Sequence, residues 1–459
     1  MELDTVLKNG TIVTAGDIFT ADIGISNGII KQIGVGLGRG REEIDVKGLY
    51  LLPGAVDAHT HVDAEFQGVQ SQEDFYTGTV AAACGGVTTI LDYAIPGPNQ
   101  TPLQTVETWH AKARNKAIID YGFHVAVFQP NDTAIQQVPD VIAEGHSSFK
   151  IFMMGTFEQN LDGYMDMMAA IGRYGGMVNI HCEDACCLNY LARQFNKSGK
   201  YGAKYFADSR PRIAEGIAAM RAIGLAQVAD VPAYLVHLSC EESLESLNRA
   251  RGKGQTVYGE TRPCYLHLSK EQMQEKDGIL LAGWPPLRDS DQMNILWQAL
   301  ESGVLQTIAT DHDGWSREQK KKFNKVDEVL AGMAGLETMV PLLYSQGVLQ
   351  KKLNINRLVQ VTATNPARLF GLYPRKGTIA IGSDADIVAF DPLVKKTIHA
   401  KEMHSASDWD PFEGWKVTGW PRLTISRGEI IVDEGKVLGQ PGRGQLLKRK
   451  KFTETDARM

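Results

Sequence analysis

Residues 54–66 read GAVDAHTHVDAEF and follow the apolar run LYLLP of residues 49–53. In an extended strand, residues i and i+2 project from one face, so His59 and His61 point at one spot in space. An apolar run that ends in polar, ligand-type side chains is how a barrel strand reaches the mouth of an active site. His-x-His is short and recurs by chance, so the reading of this pair as a metal site depends on what other segments bring to the same place.

Outward from that strand the pattern alternates strand and helix. Candidate strands are LYLLPGAVDAHTH, VTTILDYAI, DYGFHVAVFQ, SSFKIFMM, MVNIHCED, AYLVHLSC, QTVYGETRP and LQTIATDHD, with helical segments such as DFYTGTVAAACGG, LDGYMDMMAAIGRYGG and EGIAAMRAIGLAQVAD between them. Eight such βα units over about 300 residues predict an α/β chain folded as a (β/α)8 TIM-type barrel. A doubly wound sheet shares the alternation, but no Gly-rich dinucleotide fingerprint follows the first strand. Both flanks have a different texture, with short strands and turns. The pairs Asn9-Gly10 and Asn27-Gly28 are hairpin signals, and similar segments return after about Pro374. The expected organisation is residues 1–50 and 374–440 as the two parts of one small β-sandwich, 51–373 as the barrel, and 441–459 as a C-terminal tail.

Composition sets limits on function. The chain has 459 residues, 43% hydrophobic and 22% charged, which suits one large barrel plus an accessory domain. A net charge of -6 gives no general attraction to polyanions, so the basic run LLKRKKF reads as a solvated tail or subunit arm, not a nucleic-acid site. The start MELDTVLKNGTIVTAG lacks a basic segment followed by an apolar one, and no run of about 18 apolar residues occurs. A soluble cytoplasmic protein without membrane or nucleic-acid partners is the expectation. Of six cysteines, Cys182, Cys186 and Cys187 crowd into HCEDACC without a disulfide framework, and all read as small buried residues in a reducing compartment.

At the C-terminal ends of the strands, where barrel enzymes keep their chemistry, stand His59 and His61 on strand one, His181 on strand five, His237 on strand six and Asp311 on strand eight, while strand four carries Lys150. Imidazole and carboxylate donors suit zinc, and also iron, manganese or nickel; without clustered thiolates the pattern points to a catalytic centre rather than a structural one. Lys150 places an ammonium in an apolar strand, where an unpaired charge is costly. Either its head snorkels or pairs with a carboxylate such as Asp311, or burial keeps it a neutral amine that adds carbon dioxide to form a carbamate able to bridge two metals. Charge balance favours the second, because four neutral imidazoles and one aspartate do not neutralise two divalent cations. Two such metals roughly 3.5 to 4 Å apart would make hydroxide available at neutral pH for attack on a carbonyl. Asp311 can take its proton and pass it to a leaving nitrogen, so the product is an opened amide. The other histidines read differently: His110 and His146 as surface, His124 as a satisfied core residue, His267, His399 and His404 as lacking a ligand-like setting, and His312 as pointing away from the centre.

With His59-x-His61, Lys150, His181, His237 and Asp311 in this order, the chain resembles the amidohydrolase superfamily and, within it, the hydantoinase/dihydropyrimidinase family of cyclic amide hydrolases. Nearly the whole length takes part, through stretches such as SSFKIFM, SRPRIAEGIAAMRAI, WPPLRD, ATDHDGW, GLETMVPLLYSQGV and TATNPARLFGLYPRKGTIAIGSDADIVAFDP. The resemblance implies a barrel with a β-sandwich from both termini, a binuclear zinc centre bridged by carboxylated Lys150 (N6-carboxylysine), and a homotetramer. His59 and His61 with Asp311 would hold the more buried metal, and His181 and His237 the more exposed one. The implied reaction opens a hydantoin or dihydropyrimidine ring to an N-carbamoyl amino acid. An allantoinase-like specificity and a non-catalytic scaffold are the alternatives; dihydroorotase fits less well, because no cation follows the His-x-His in HTHVDAEF.

Three substrate positions depart from the family pattern. A tyrosine whose hydroxyl holds the oxyanion is expected five residues after the lysine, where this chain has Gly155; losing such a donor costs about 3 kcal/mol of transition-state stabilisation unless another group replaces it. An asparagine that reads the imide edge of the substrate would fall at Ala331, and the usual serine opening the PPLR segment is Trp284.

Overall fold

The structure, a computed structural model, describes residues 2–155 and 157–457. Eight parallel strands follow one another around a single sheet in chain order: β1 (Ala55–Thr60), β2 (Val87–Ala94), β3 (Asp120–Ala126), β4 (Ser148–Phe152), β5 (Met177–His181), β6 (Ala233–Leu235), β7 (Val257–Thr261) and β8 (Thr307–Ile308). Nearly every residue in them is buried, which is why they read as continuous apolar runs: helices cover one face and the barrel interior the other. Turn chemistry starts the helices promptly. Asp74 caps Phe75–Cys84 in a box with Thr77, and Thr101 caps Pro102–Ala113 in a box with Gln104.

The barrel closes beyond the end of β8. There Asp311 N donates to His59 O at 2.8 Å and His61 N donates to His312 O at 2.9 Å, which joins the last segment to the first. Two strands are shorter than their sequence suggests. β6 stops before His237 and β8 before Asp311, and both of these residues adopt left-handed backbone, with φ of 42° and 49°. Sparsely populated backbone of this kind concentrates at functional sites, where it re-aims side chains.

The second sheet has nine strands drawn from both ends of the chain. The two ends meet where Tyr50–Pro53 pairs antiparallel with Ile387–Thr397 and parallel with Leu3–Val13. Its core includes Leu7, Ile23, Leu51, Ile387 and Ile425. Asn27-Gly28 makes the expected hairpin, both residues at positive φ. Asn9-Gly10 does not. It sits inside Leu3–Val13 as a bulge, where Asn9 N donates to Asp22 and a Cβ on Gly10 would lie 2.4 Å from Leu51 Cδ1.

Two further expectations fail on packing. The basic run is solvated only in part: Lys448, Lys450 and Lys451 are exposed, but its main chain lies against the base of the barrel, with Leu447 N donating to Tyr121 O and Arg449 N to Gly145 O. Arg449 is buried, donates to Ser148 Oγ at 2.8 Å, and burial pushes its guanidinium down to about 9. His146 is buried and stacked on Phe123 rather than at the surface. Four of the cysteines are buried as expected, whereas Cys186 is exposed and Cys187 half-buried. Among the described residues, no helix is long and apolar enough to cross a membrane.

One buried cation ties the sheet to the barrel. Lys376 Nζ lies 2.7 Å from Asp120 on β3, 2.6 Å from Asp386 and 3.0 Å from Asp384. Removing it leaves three buried carboxylates with only Arg427, beside Asp120, and Arg375, beside Asp384, to offset them, so Lys376→Met is expected to lose about 3–5 kcal/mol of stability, read from urea unfolding; a loss below 1 kcal/mol would mean that this cluster does not hold the two parts together.

Candidate metal centre

All six positions singled out as ligands line one cavity at the C-terminal mouth of the barrel. His59 lies in β1, His61 follows it, Lys150 is in the middle of β4 and His181 ends β5, while His237 and Asp311 sit on the left-handed turns past β6 and β8. His59 Nε2 is 2.9 Å and His61 Nε2 3.2 Å from the same oxygen, Asp311 Oδ1. His181 Nδ1 is 2.9 Å from His237 Nε2. The tightest group is His59, His237 and Asp311, whose donor atoms all lie within 4.8 Å of one another.

Buried nitrogens without partners mark where a cation fits. His59 Nε2, His61 Nδ1 and His237 Nδ1 are buried and make no hydrogen bond of acceptable geometry. Leaving such groups unpaired costs about 1–3 kcal/mol each, a penalty that a metal accepting the lone pair of His59 Nε2 removes at that ring. The opposite edges of two rings are held. His59 Nδ1 lies 2.7 Å from Glu260 Oε1, and Glu260 also accepts from His237 N and Tyr234 OH. His181 Nε2 lies 2.9 Å from Glu183, whose carboxylate is gripped by Arg210. Such outer partners orient imidazole ligands toward a metal.

The same surroundings set protonation. Burial pushes His61 down to about 4, lowers His181, and carries His237 well below the usual imidazole range, so all three offer lone pairs at neutral pH. For His59 burial acts in the same direction, but the carboxylates of Asp311 and Glu260 outweigh it and leave the ring raised. Burial alone would raise Asp311 and Glu183; Arg262 holds the first well below the carboxylate range, and Arg210 with His181 brings the second to about 2.

Lys150 is 1% exposed and forms no ion pair among the described residues. Asp311 is not its partner, because Asp311 Oδ2 pairs with Arg262 Nη1 at 2.9 Å while Oδ1 faces His59 and His61. Its ammonium lies over the rings of Tyr93 at 4.3 Å and Phe152 at 5.1 Å. Burial lowers it to about 8, despite the opposing pull of Asp311 and Glu260. An amine so placed is readily available as the free base.

The three substrate positions separate. Trp284 and Ala331 line the cavity, Trp284 under the Arg210 guanidinium at 5.2 Å. Gly155 does not; it is exposed, with open space where a Cβ would be. His312 faces Glu73, away from the centre, and His124 is bonded in the core to Ala58 O and Ser148 Oγ, as expected. Glu260, Glu183 and Arg262 went unread in the sequence. A carboxylate ending the apolar run VYGE was a usable signal for the first; pairing with a residue far along the chain has no local signature. A second group, Cys84, Glu337 and His404, also has donors within 4.8 Å, but Glu337 already accepts from His404 N and faces its ring.

Residues 50–431 match the model of the amidohydrolase family. The chain is similar to a D-hydantoinase of Geobacillus stearothermophilus, 40% identical over 455 residues that cover 97% of each protein, and to one of Ralstonia pickettii, 39% identical over 98% of this chain and 100% of the relative. Among solved structures it is similar to the dihydropyrimidinase of Brevibacillus agri NCHU1002, with TM-score 0.94 and 38% identity over 98% and 99% of the two chains. It is also similar to the L-hydantoinase (dihydropyrimidinase) of Arthrobacter aurescens, with TM-score 0.90 and 28% identity over 97% and 100%.

Replacing Glu260 by Gln keeps its shape but weakens its hold on His59, and is expected to reduce metal affinity about 10- to 100-fold. Competition with a chromophoric chelator measures this; unchanged affinity would remove Glu260 from the role of orienting His59.

Proposed function

The chain belongs to the amidohydrolase family, and from that premise we propose that it is a binuclear-metal hydrolase that opens a cyclic amide, a hydantoin or a dihydropyrimidine, to an N-carbamoyl amino acid. The observation that carries this reading is the convergence of four imidazoles, Asp311 and an unpaired buried lysine on one cavity. His59 and His61 with Asp311 would hold one ion and His181 with His237 the other, and zinc suits this donor set. Lys150 would complete the set as a carbamate: its neutral nitrogen would bond to carbon dioxide and release a proton, supplying the negative charge that four imidazoles and one aspartate lack.

When bound, the ions supply Lewis acidity, which makes a water acidic enough to ionise near neutral pH and polarises the carbonyl under attack. Asp311 is the catalytic acid–base. Kept ionised by Arg262, it takes the proton of the attacking water and returns it to the ring nitrogen as the C–N bond breaks. One water is consumed and no other atom is lost. Glu260 and Glu183 hold their imidazoles still throughout. The ring enters against Phe66, Trp284 and Leu330, which keep bulk water away. An allantoin-like ureide is a second reading, favoured by Gly155 lying outside the cavity. The same reading divides the chain at residues 50, 373 and 440, and includes a cytoplasmic homotetramer as its working form.

The test is metal content together with ring-opening rates on hydantoin, dihydrouracil and allantoin. About two zinc ions per chain and turnover of one ring are expected; two ions with no turnover of any of the three would overturn the substrate, and no bound metal would return the scaffold reading. Lys150→Ala should lose metal and activity together, with partial rescue by short-chain carboxylates; wild-type activity in this variant would end the bridging role.

A further inference from the structure

Beside the metal ligands the cavity has a second buried carboxyl group, Asp313, which is 5% exposed. Its Oδ1 has no hydrogen-bond partner, and Asp313 takes part in no ion pair among the described residues. The nearby cations are engaged elsewhere: Lys320 Nζ donates to Ala282 O and Gly332 O, each at 2.7 Å, and Arg262 to Thr310 O, Asp311 O and the Asp311 carboxylate. The fold keeps room for the group. Gly332 has φ of 117°, and a Cβ there would lie 2.0 Å from Asp313 Oδ2, so no side chain at 332 is compatible with the carboxyl group where it stands.

Several of the other acceptors around the cavity are taken. Ala331 O accepts from Trp315 Nε1 at 2.9 Å, Gly332 O from Lys320, and the Asp311 carboxylate faces Arg262, His59 and His61. Gln67 carries an amide oxygen but is exposed. A cyclic amide that enters this cavity leaves water with at least one ring N–H, a donor that must be met again or the ring binds poorly.

We infer that Asp313 is a specificity-determining residue whose carboxyl group accepts a hydrogen bond from a ring N–H of the substrate. This rests on the cyclic-amide reading above and adds the group that distinguishes an N–H ring from an N-alkylated one. An oxygen of a carboxyl group accepts in either protonation state, so the contact holds across the working pH range.

The probes are hydantoin, 1-methylhydantoin and 3-methylhydantoin, assayed with the metal-loaded wild type, Asp313→Ala and Asp313→Asn. Wild type should show a KM at least about tenfold higher for one of the methylated rings than for hydantoin. Asp313→Ala should raise the KM for hydantoin by a similar factor, change kcat less, lose its discrimination against that methylated ring, and keep the metal content of wild type. Asp313→Asn, which retains a carbonyl acceptor, should recover most of the hydantoin KM. An Asp313→Ala enzyme with wild-type KM and wild-type discrimination would overturn the inference. So would a wild type that takes both methylated rings as well as hydantoin, a result that does not depend on any variant folding. A wild type holding two metals and opening no cyclic amide would instead overturn the substrate reading on which the inference stands.

Discussion

The closure of the barrel is the constraint on which the site depends. Asp57, wholly buried in β1, accepts from His59 N at 3.1 Å, Thr310 N at 3.2 Å and Thr310 Oγ1 at 2.6 Å, and so fastens the first strand to the segment after the last. Two main-chain hydrogen bonds add to the seam, one of them between His59 and Asp311. Side chains more than 250 positions apart in the chain therefore meet at about 3 Å. Burial pushes the Asp57 carboxyl up to about 6, a penalty that its three donors reduce.

Around the centre, buried charge is arranged in pairs that leave selected atoms free. Glu183 is gripped by Arg210, Glu215 by Arg288, and Asp311 by Arg262, each within 2.9 Å. Breaking such a pair costs several kcal/mol, so these contacts hold the carboxylates in one orientation. Among the atoms left free at this cavity are ring nitrogens of His59, His61 and His237 and Asp313 Oδ1, beside a Lys150 amine that forms no ion pair among the described residues. Among the described residues, buried polar atoms without partners also occur elsewhere, such as His146 Nδ1 and His267 Nε2, but only at this cavity do several of them face a shared open space.

The cavity has two unlike sides. One is built on strand ends whose positions follow from the barrel, and it carries donors suited to metal. The other is built on connecting segments, around Trp284 and residues 330–332, and carries mostly apolar groups. Connecting segments vary where strands do not, because their backbones are not bound into a ladder. Trp284, Ala331 and Asp313 line this second side.

Much of this was legible in the order of residues. Apolar runs buried on both faces made eight strands recognisable, and polar residues at their ends marked His59, His61, Lys150, His181, His237 and Asp311, because the C-terminal ends of barrel strands share one mouth whatever the loops do. Local chemistry also identified the Asn27-Gly28 hairpin. The rest was decided by contacts between distant segments. Asn9-Gly10 has the same dipeptide chemistry as Asn27-Gly28 but became a bulge, because Leu51 packs over Gly10. The basic tail became part of the barrel base, because Arg449 found Ser148. Asp311 paired with Arg262 rather than Lys150, which left the lysine alone. Periodicity is a property of neighbours in the chain and survives in the sequence; partner choice among buried charges depends on distances that exist only once the barrel has closed.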